Sequence, residues 1–151
     1  MNLGVYTDSL AISDVTEKII NSLNGGVEEE TLTSASMFTD TVGFNPMKLK
    51  CGCFDSSDLW NFSGTLVTTT LAGLDRALGV VNGMSIVYYY GWQESPPSVL
   101  NLIGSTNRGG IKVVSKDEES NREFYRLTGK KTSGVINDFN IGELKEVISN
   151  E

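Results

Sequence analysis

The chain of 151 residues contains no histidine, and it has two cysteines and three prolines. Without histidine there is no serine–histidine or cysteine–histidine nucleophile pair, and the commonest general base is missing. Any chemistry must fall to carboxylates, lysine, tyrosine or geometry. Two cysteines without histidine are too few soft ligands for a structural zinc site. Cys51 and Cys53 are therefore read as buried free thiols, on one face of a strand, in the reducing environment of the cytoplasm. No metal and no cofactor is expected. Cations are scarce too: 12 Lys and Arg against 19 Asp and Glu give a net charge of −7. That balance disfavours nucleic acid and anionic membranes as partners. No apolar run reaches 18 residues, so no membrane span is expected. The opening Met1-Asn2-Leu3-Gly4-Val5-Tyr6 reads as a strand rather than a secretory signal.

Two further absences narrow the α/β possibilities. The loop Thr7–Ser13 has no glycine with which to let a backbone approach a pyrophosphate, which disfavours a dinucleotide enzyme. No glycine-rich loop ends in Gly-Lys-Ser or Gly-Lys-Thr, so a P-loop hydrolase is excluded.

What is present is an alternation of strand and helix along residues 1–151. Strands are expected at Leu3–Thr7, Ser34–Thr39, Leu49–Phe54, Thr65–Thr70, Met84–Tyr90, Ile111–Val114 and Ser133–Ile136. Helices follow from apolar stripes and caps: Asp14 with Glu17, closed by Gly25-Gly26; Leu71 to Leu78, closed by Gly79; and Pro96-Pro97 to Gly104. Ser115 with Glu118 opens a fourth, ended by Gly129, and Asn140 with Glu143 opens the last. The run Ile86 to Tyr90 is β-branched and aromatic throughout, as in a strand covered on both faces. The reading is a single Rossmann-like α/β domain: a doubly wound, mostly parallel sheet of six to seven strands with helices on both faces. Right-handed crossovers would then place Asp8, Asp40, Asp55, Thr69, Gln93, Glu94, Lys116 and Asp138 along one edge of the sheet.

Three chemistries compete for that edge. Asp8, Asp55, Thr68 to Thr70 and Lys116 have the residue types and order of a phosphoacceptor receiver. Asp55-Ser56-Ser57-Asp58 is turn chemistry rather than the Asp-x-Asp of metal-dependent sugar transferases. Trp92 next to Gln93 and Glu94 offers an aromatic face beside a carboxylate able to act as acid or base.

The stretches Leu59–Thr70, Ile86–Trp92 and Ile111–Lys116, with the ending Gly134–Asn140, resemble the amino-terminal half of phage-type glycosyltransferases that have two Rossmann-like domains, the GT-B arrangement. The resemblance implies transfer of a sugar from a nucleotide sugar. It also implies a second, nucleotide-gripping domain, to be supplied by a homodimer or a separate chain. Related proteins carry acids where this chain has Gly91 and Gln93. The expected site comprises Glu94 as acid or base, Lys116 toward phosphate, Trp92 as a stacking face, and Asp8, Ser9, Gln93 and Ser115 as further contacts. The other reading is a non-enzymatic binding or assembly module.

Overall fold

A computed structural model describes residues 1–80, 82–93 and 97–150. Six strands form one sheet: β1 (Asn2–Ser9), β2 (Ser34–Thr41), β3 (Gly52–Asp55), β4 (Thr65–Thr68), β5 (Ser85–Tyr90) and β6 (Ile111–Ser115). Their spatial order is β3-β2-β1-β4-β5-β6, and every neighbouring pair is parallel. This is the Rossmann order, with the winding direction reversing between β1 and β4. The doubly wound parallel sheet read from the sequence is the sheet observed.

Each strand places alternate side chains on opposite faces, and both faces are packed. On one face Leu3, Val5, Met37, Val67, Val87, Tyr89 and Val114 meet α1 (Asp14–Glu28) and α5 (Ile141–Ser149) through Ile19, Leu23, Ile141 and Leu144. On the other, Tyr6, Phe38, Leu66, Tyr88 and Tyr90 meet α2 (Leu71–Leu78), α3 (Val99–Thr106) and α4 (Glu118–Thr128) through Leu74, Ala77, Leu102 and Phe124. No helix joins β2 to β3. Between β3 and β4, a 3₁₀ turn at Ser56–Asn61 packs Leu59 onto the second face. Asn82 holds that turn by donating to the carbonyls of Leu59 at 2.6 Å and Phe62 at 2.7 Å.

Several boundaries differ from those expected. Gly25-Gly26 does not stop the first helix, which runs to Glu28, because Gly26 gives Leu32 the room to pack there. Gly104 likewise lies inside α3. β3 begins at Gly52, since Asn24 ties Lys48 and Lys50 to α1 before the chain can join the sheet. Cys51 therefore precedes the strand. Cys53 is exposed, so only Cys51 is partly buried, and its thiol is pushed up to about 11 by that burial. Thr70 is not strand but the N-cap of α2, its hydroxyl accepting from the Gly73 amide at 3.0 Å. The cap of α4 is Asp117, which accepts from Ser120, rather than Ser115.

The seventh strand reduces to an isolated parallel bridge between Ser115 and Val135. Ser133 donates to Val113, Ser115 to Gly134 and Ile136 to Ser115. Asp138 and Phe139, both at positive φ, then turn the chain away from the sheet into α5. The ammonium of Lys112 holds the far end of that helix, donating to the carbonyls of Val147, Ile148 and Asn150 at 2.9–3.1 Å. These are carbonyls that a helix end leaves without partners of their own. No described helix is long and apolar enough to cross a membrane.

Candidate functional site

Parallel strands bring the loops that follow them to one edge, and the reversal between β1 and β4 opens a crevice there. The crevice encloses about 360 Å³ between Tyr6, Thr7 and Asp8 of β1, Asp40 of β2, and Thr70, Gly73 and Arg76 around the start of α2. Its floor is a three-residue knot. The Tyr6 hydroxyl lies 2.8 Å from both carboxylate oxygens of Asp40, and Arg76 donates to the same hydroxyl at 3.0 Å while pairing with Asp40. Burial raises the Tyr6 pKa, with Arg76 pulling the other way. Tyr6 therefore stays a neutral donor to Asp40. Asp8 is exposed at the mouth, its carboxylate accepting, among the described residues, only the Ser9 amide at 3.1 Å. The crevice thus offers carboxylates, hydroxyls and one guanidinium: groups that bind a polyhydroxylated ligand by several hydrogen bonds.

A second cluster stands at the same edge, beyond β4. Gly91, at φ 115°, turns the chain out of β5. A β-carbon there would lie 2.6 Å from the Ser120 hydroxyl and 2.8 Å from Lys116 Cγ. That tight turn lays Trp92 edge-on against Tyr89, with ring centroids 5.6 Å apart at 85°. Two ammonium groups stand over the indole, Lys18 at 5.3 Å and Lys116 at 5.1 Å from its centre. Lys18 is shared with Asp138 at 2.9 Å and Asp14 at 3.7 Å, and the Asp138 hydrogen bond raises its pKa. Lys116 has no ion pair among the described residues. The indole N–H is buried without an acceptor among them.

The expected site residues meet different fates. Trp92 and Lys116 come together, and Asp8 borders the crevice while Ser9 lies outside its lining. Gln93 and Ser115 are turned to other tasks: the Gln93 amide oxygen accepts from Gly91, and Ser115 is fully buried with its hydroxyl unpartnered. Ser9 is also used locally, accepting from Ala11 at 3.0 Å. Glu94, the expected acid or base, lies outside the described residues. Tyr6, Arg76 and Lys18 were not anticipated. Their partners are 34, 36 and 120 residues distant in the chain, so only the strand order brings them together.

The receiver arrangement is not built. Asp55 ends the edge strand β3, Asp8 ends β1 two positions inward, and Lys116 follows the opposite edge. At about 4.8 Å per strand, Asp55 and Lys116 are separated by about 24 Å along the edge.

Next to the crevice the loops after β1 and β2 form an apolar lip. Ile12 donates to the Phe44 carbonyl, and Asn45 donates to that of Leu10. Gly43 approaches so closely that a β-carbon would sit 2.6 Å from that of Ala11. The contact leaves Ile12, Val42 and Phe44 facing outward, 63%, 89% and 79% exposed.

Fold and crevice together define a Rossmann-like α/β domain with a ligand-sized hollow at its switch point. Comparison with protein-family models, with curated proteins and with solved structures finds no match to this chain.

Proposed function

We propose that the chain binds a nucleotide sugar and is one half of a sugar-transferring enzyme, acting with a second domain or chain that meets it across the strand-end edge. The observation that carries the reading is the pairing of two unlike sites on that edge. The crevice presents Asp8, Asp40, Tyr6 and Thr70, suited to sugar hydroxyls. About two strand spacings away, Lys18 and Lys116 present positive charge over Trp92, suited to a diphosphate. With the ring attended by both lysines, what this cluster offers is charge more than a bare stacking face. Glu94 is assigned the acid or base role on its place in the sequence alone.

The exposed lip favours a partner at the same edge, because apolar side chains of this size are normally covered where they cluster. It is equally what a non-enzymatic assembly module would show. Titration calorimetry with uridine and guanosine diphosphate sugars separates the two. Binding that Lys18→Ala/Lys116→Ala abolishes and Asp8→Ala weakens supports the transferase half. Absence of heat across the panel, or binding indifferent to both lysines, removes it and leaves the module.

A further inference from the structure

The sheet has two edges, and the chain treats them differently. The β6 edge is covered by 133–136, which satisfies its outward backbone groups. The β3 edge has β2 on one side only. All four of its residues are exposed, and no described residue pairs with its outer side. Protein edges are ordinarily blunted by proline, lysine, a bulge or a covering segment. Gly52-Cys53-Phe54-Asp55 is protected by its shortness alone: it carries no proline, lysine or bulge, and no covering segment among the described residues. Phe54 is 45% exposed against Phe38, and Trp60 on the following 3₁₀ turn is 56% exposed. A hollow of about 290 Å³ opens between Phe38, Phe54 and Phe62.

We propose that β3 pairs antiparallel with β3 of a second copy, joining two sheets into one continuous twelve-stranded sheet about a two-fold axis. The strand is complementary to itself. Across a two-fold axis, facing residues must both turn their backbone groups inward or both outward, so only registers with matching alternation are allowed. In one, Cys53 faces Cys53 and Gly52 faces Phe54, whose ring already covers Gly52 within its own chain. In the next, Gly52 faces Gly52 and Cys51 faces Cys53. In both of these registers thiol meets thiol, whereas the register centred on Phe54 would set Cys53 opposite the Asp55 carboxylate. Lys50, paired with Glu28 of its own chain, and Asp55 lie at opposite ends of the segment, so antiparallel copies oppose no like charges in either register. An unrelated strand would share none of this symmetry. In the paired form the two crevices open in opposite directions, so neither is blocked. The proposal is independent of any role in sugar transfer.

Sedimentation velocity at low and high micromolar concentration, with and without diamide, tests it. Facing cysteines in a sheet stand about 4.5–5.5 Å apart between Cα atoms, within disulfide reach. Diamide takes two electrons and two protons as two thiols become one disulfide. The wild type is expected to dimerise at high concentration and to give a covalent dimer that Cys53→Ser does not give. Cys53→Lys, at an exposed position, is expected to be monomeric with the melting temperature of the dilute, monomeric wild type. A wild type that stays monomeric at every concentration overturns the proposal. So does a dimer that survives Cys53→Lys, or a covalent dimer formed equally by Cys53→Ser.

Discussion

The three consecutive tyrosines of β5 make the sheet sensitive to alkali in a way that can be calculated. Tyr88, Tyr89 and Tyr90 are all fully buried. Burial raises all three pKa values above their ordinary 10.0, and neighbouring acids add to it: Asp75 for Tyr88, Glu143, Asp138 and Asp117 for Tyr89, and Glu123 for Tyr90. A hydrogen bond with Phe139 opposes the shift at Tyr89. An unfolded chain therefore releases these protons first. The stabilisation from each is complete below pH 10 and is lost as pH rises toward the folded value. At pH 11 Tyr88 and Tyr89 have each lost about 1.4 kcal/mol, about 3 kcal/mol together. Tyr90, whose hydroxyl reaches Glu123, adds a smaller share. Urea unfolding at pH 8.5 and 11, followed alongside tyrosinate absorbance, measures this. Tyr88→Phe isolates the effect from other groups that titrate in the same range. The Tyr88 hydroxyl has no partner among the described residues. Its removal should leave neutral-pH stability equal or higher by about 1 kcal/mol while reducing the alkaline loss by about 1.4 kcal/mol. An unchanged alkaline loss in Tyr88→Phe, or native absorbance showing Tyr88 ionised near pH 10, would refute the reasoning.

Other substitutions probe other parts of the molecule. Gly91→Ala combines a left-handed backbone with a clash against Ser120 and Lys116, and should cost about 1–3 kcal/mol in thermal unfolding. It should also alter Trp92 fluorescence as the lysine moves, and an unaltered spectrum and melting point would contradict the packing described. Asn82→Ala strips the carbonyls of Leu59 and Phe62 of their donor and should cost about 2 kcal/mol by urea unfolding. Lys112→Met removes three hydrogen bonds from the end of α5 and should speed amide exchange of the last turn selectively. Uniform exchange in both forms would show that the lysine does not hold the helix. Tyr6→Phe should loosen Asp40 and Arg76 and weaken any ligand of the crevice, with little change in the Lys18–Lys116 cluster; calorimetry with the nucleotide sugars reads the difference.

The fold was legible because helix and strand periods differ, and because Ile86–Tyr90 could only be a strand covered on both sides. The cap at Asn140 and the helix end at Gly129 are equally local signals, and the structure has both. Failures came where packing overrode local preference: Gly26 kept inside a helix to seat Leu32, and Ser133–Ile136 reduced to one bridge by the turn at Asp138. The site was harder. Lys116 and Trp92 lie at adjoining strand ends of the sheet, so their meeting follows from parallel strands once consecutive strands β5 and β6 are neighbours. The Tyr6–Asp40–Arg76 knot required knowing that β4 lies beside β1, and that order is not encoded in any single segment. Ser115 and Gln93 occupy the right edge, but burial and a turn hydrogen bond decide where their side chains go.

The reversal between β1 and β4 has a consequence for how the chain is assembled. Residues 2–55 make one three-stranded half and residues 65–115 the other, and within the sheet the halves meet only along the β1–β4 seam. That seam closes a loop of some sixty residues, an entropically slow event, so each half has time to collapse on its own before docking. A chain cut near Gly64 should accordingly reassemble from its two fragments, and the crevice would exist only once they had joined.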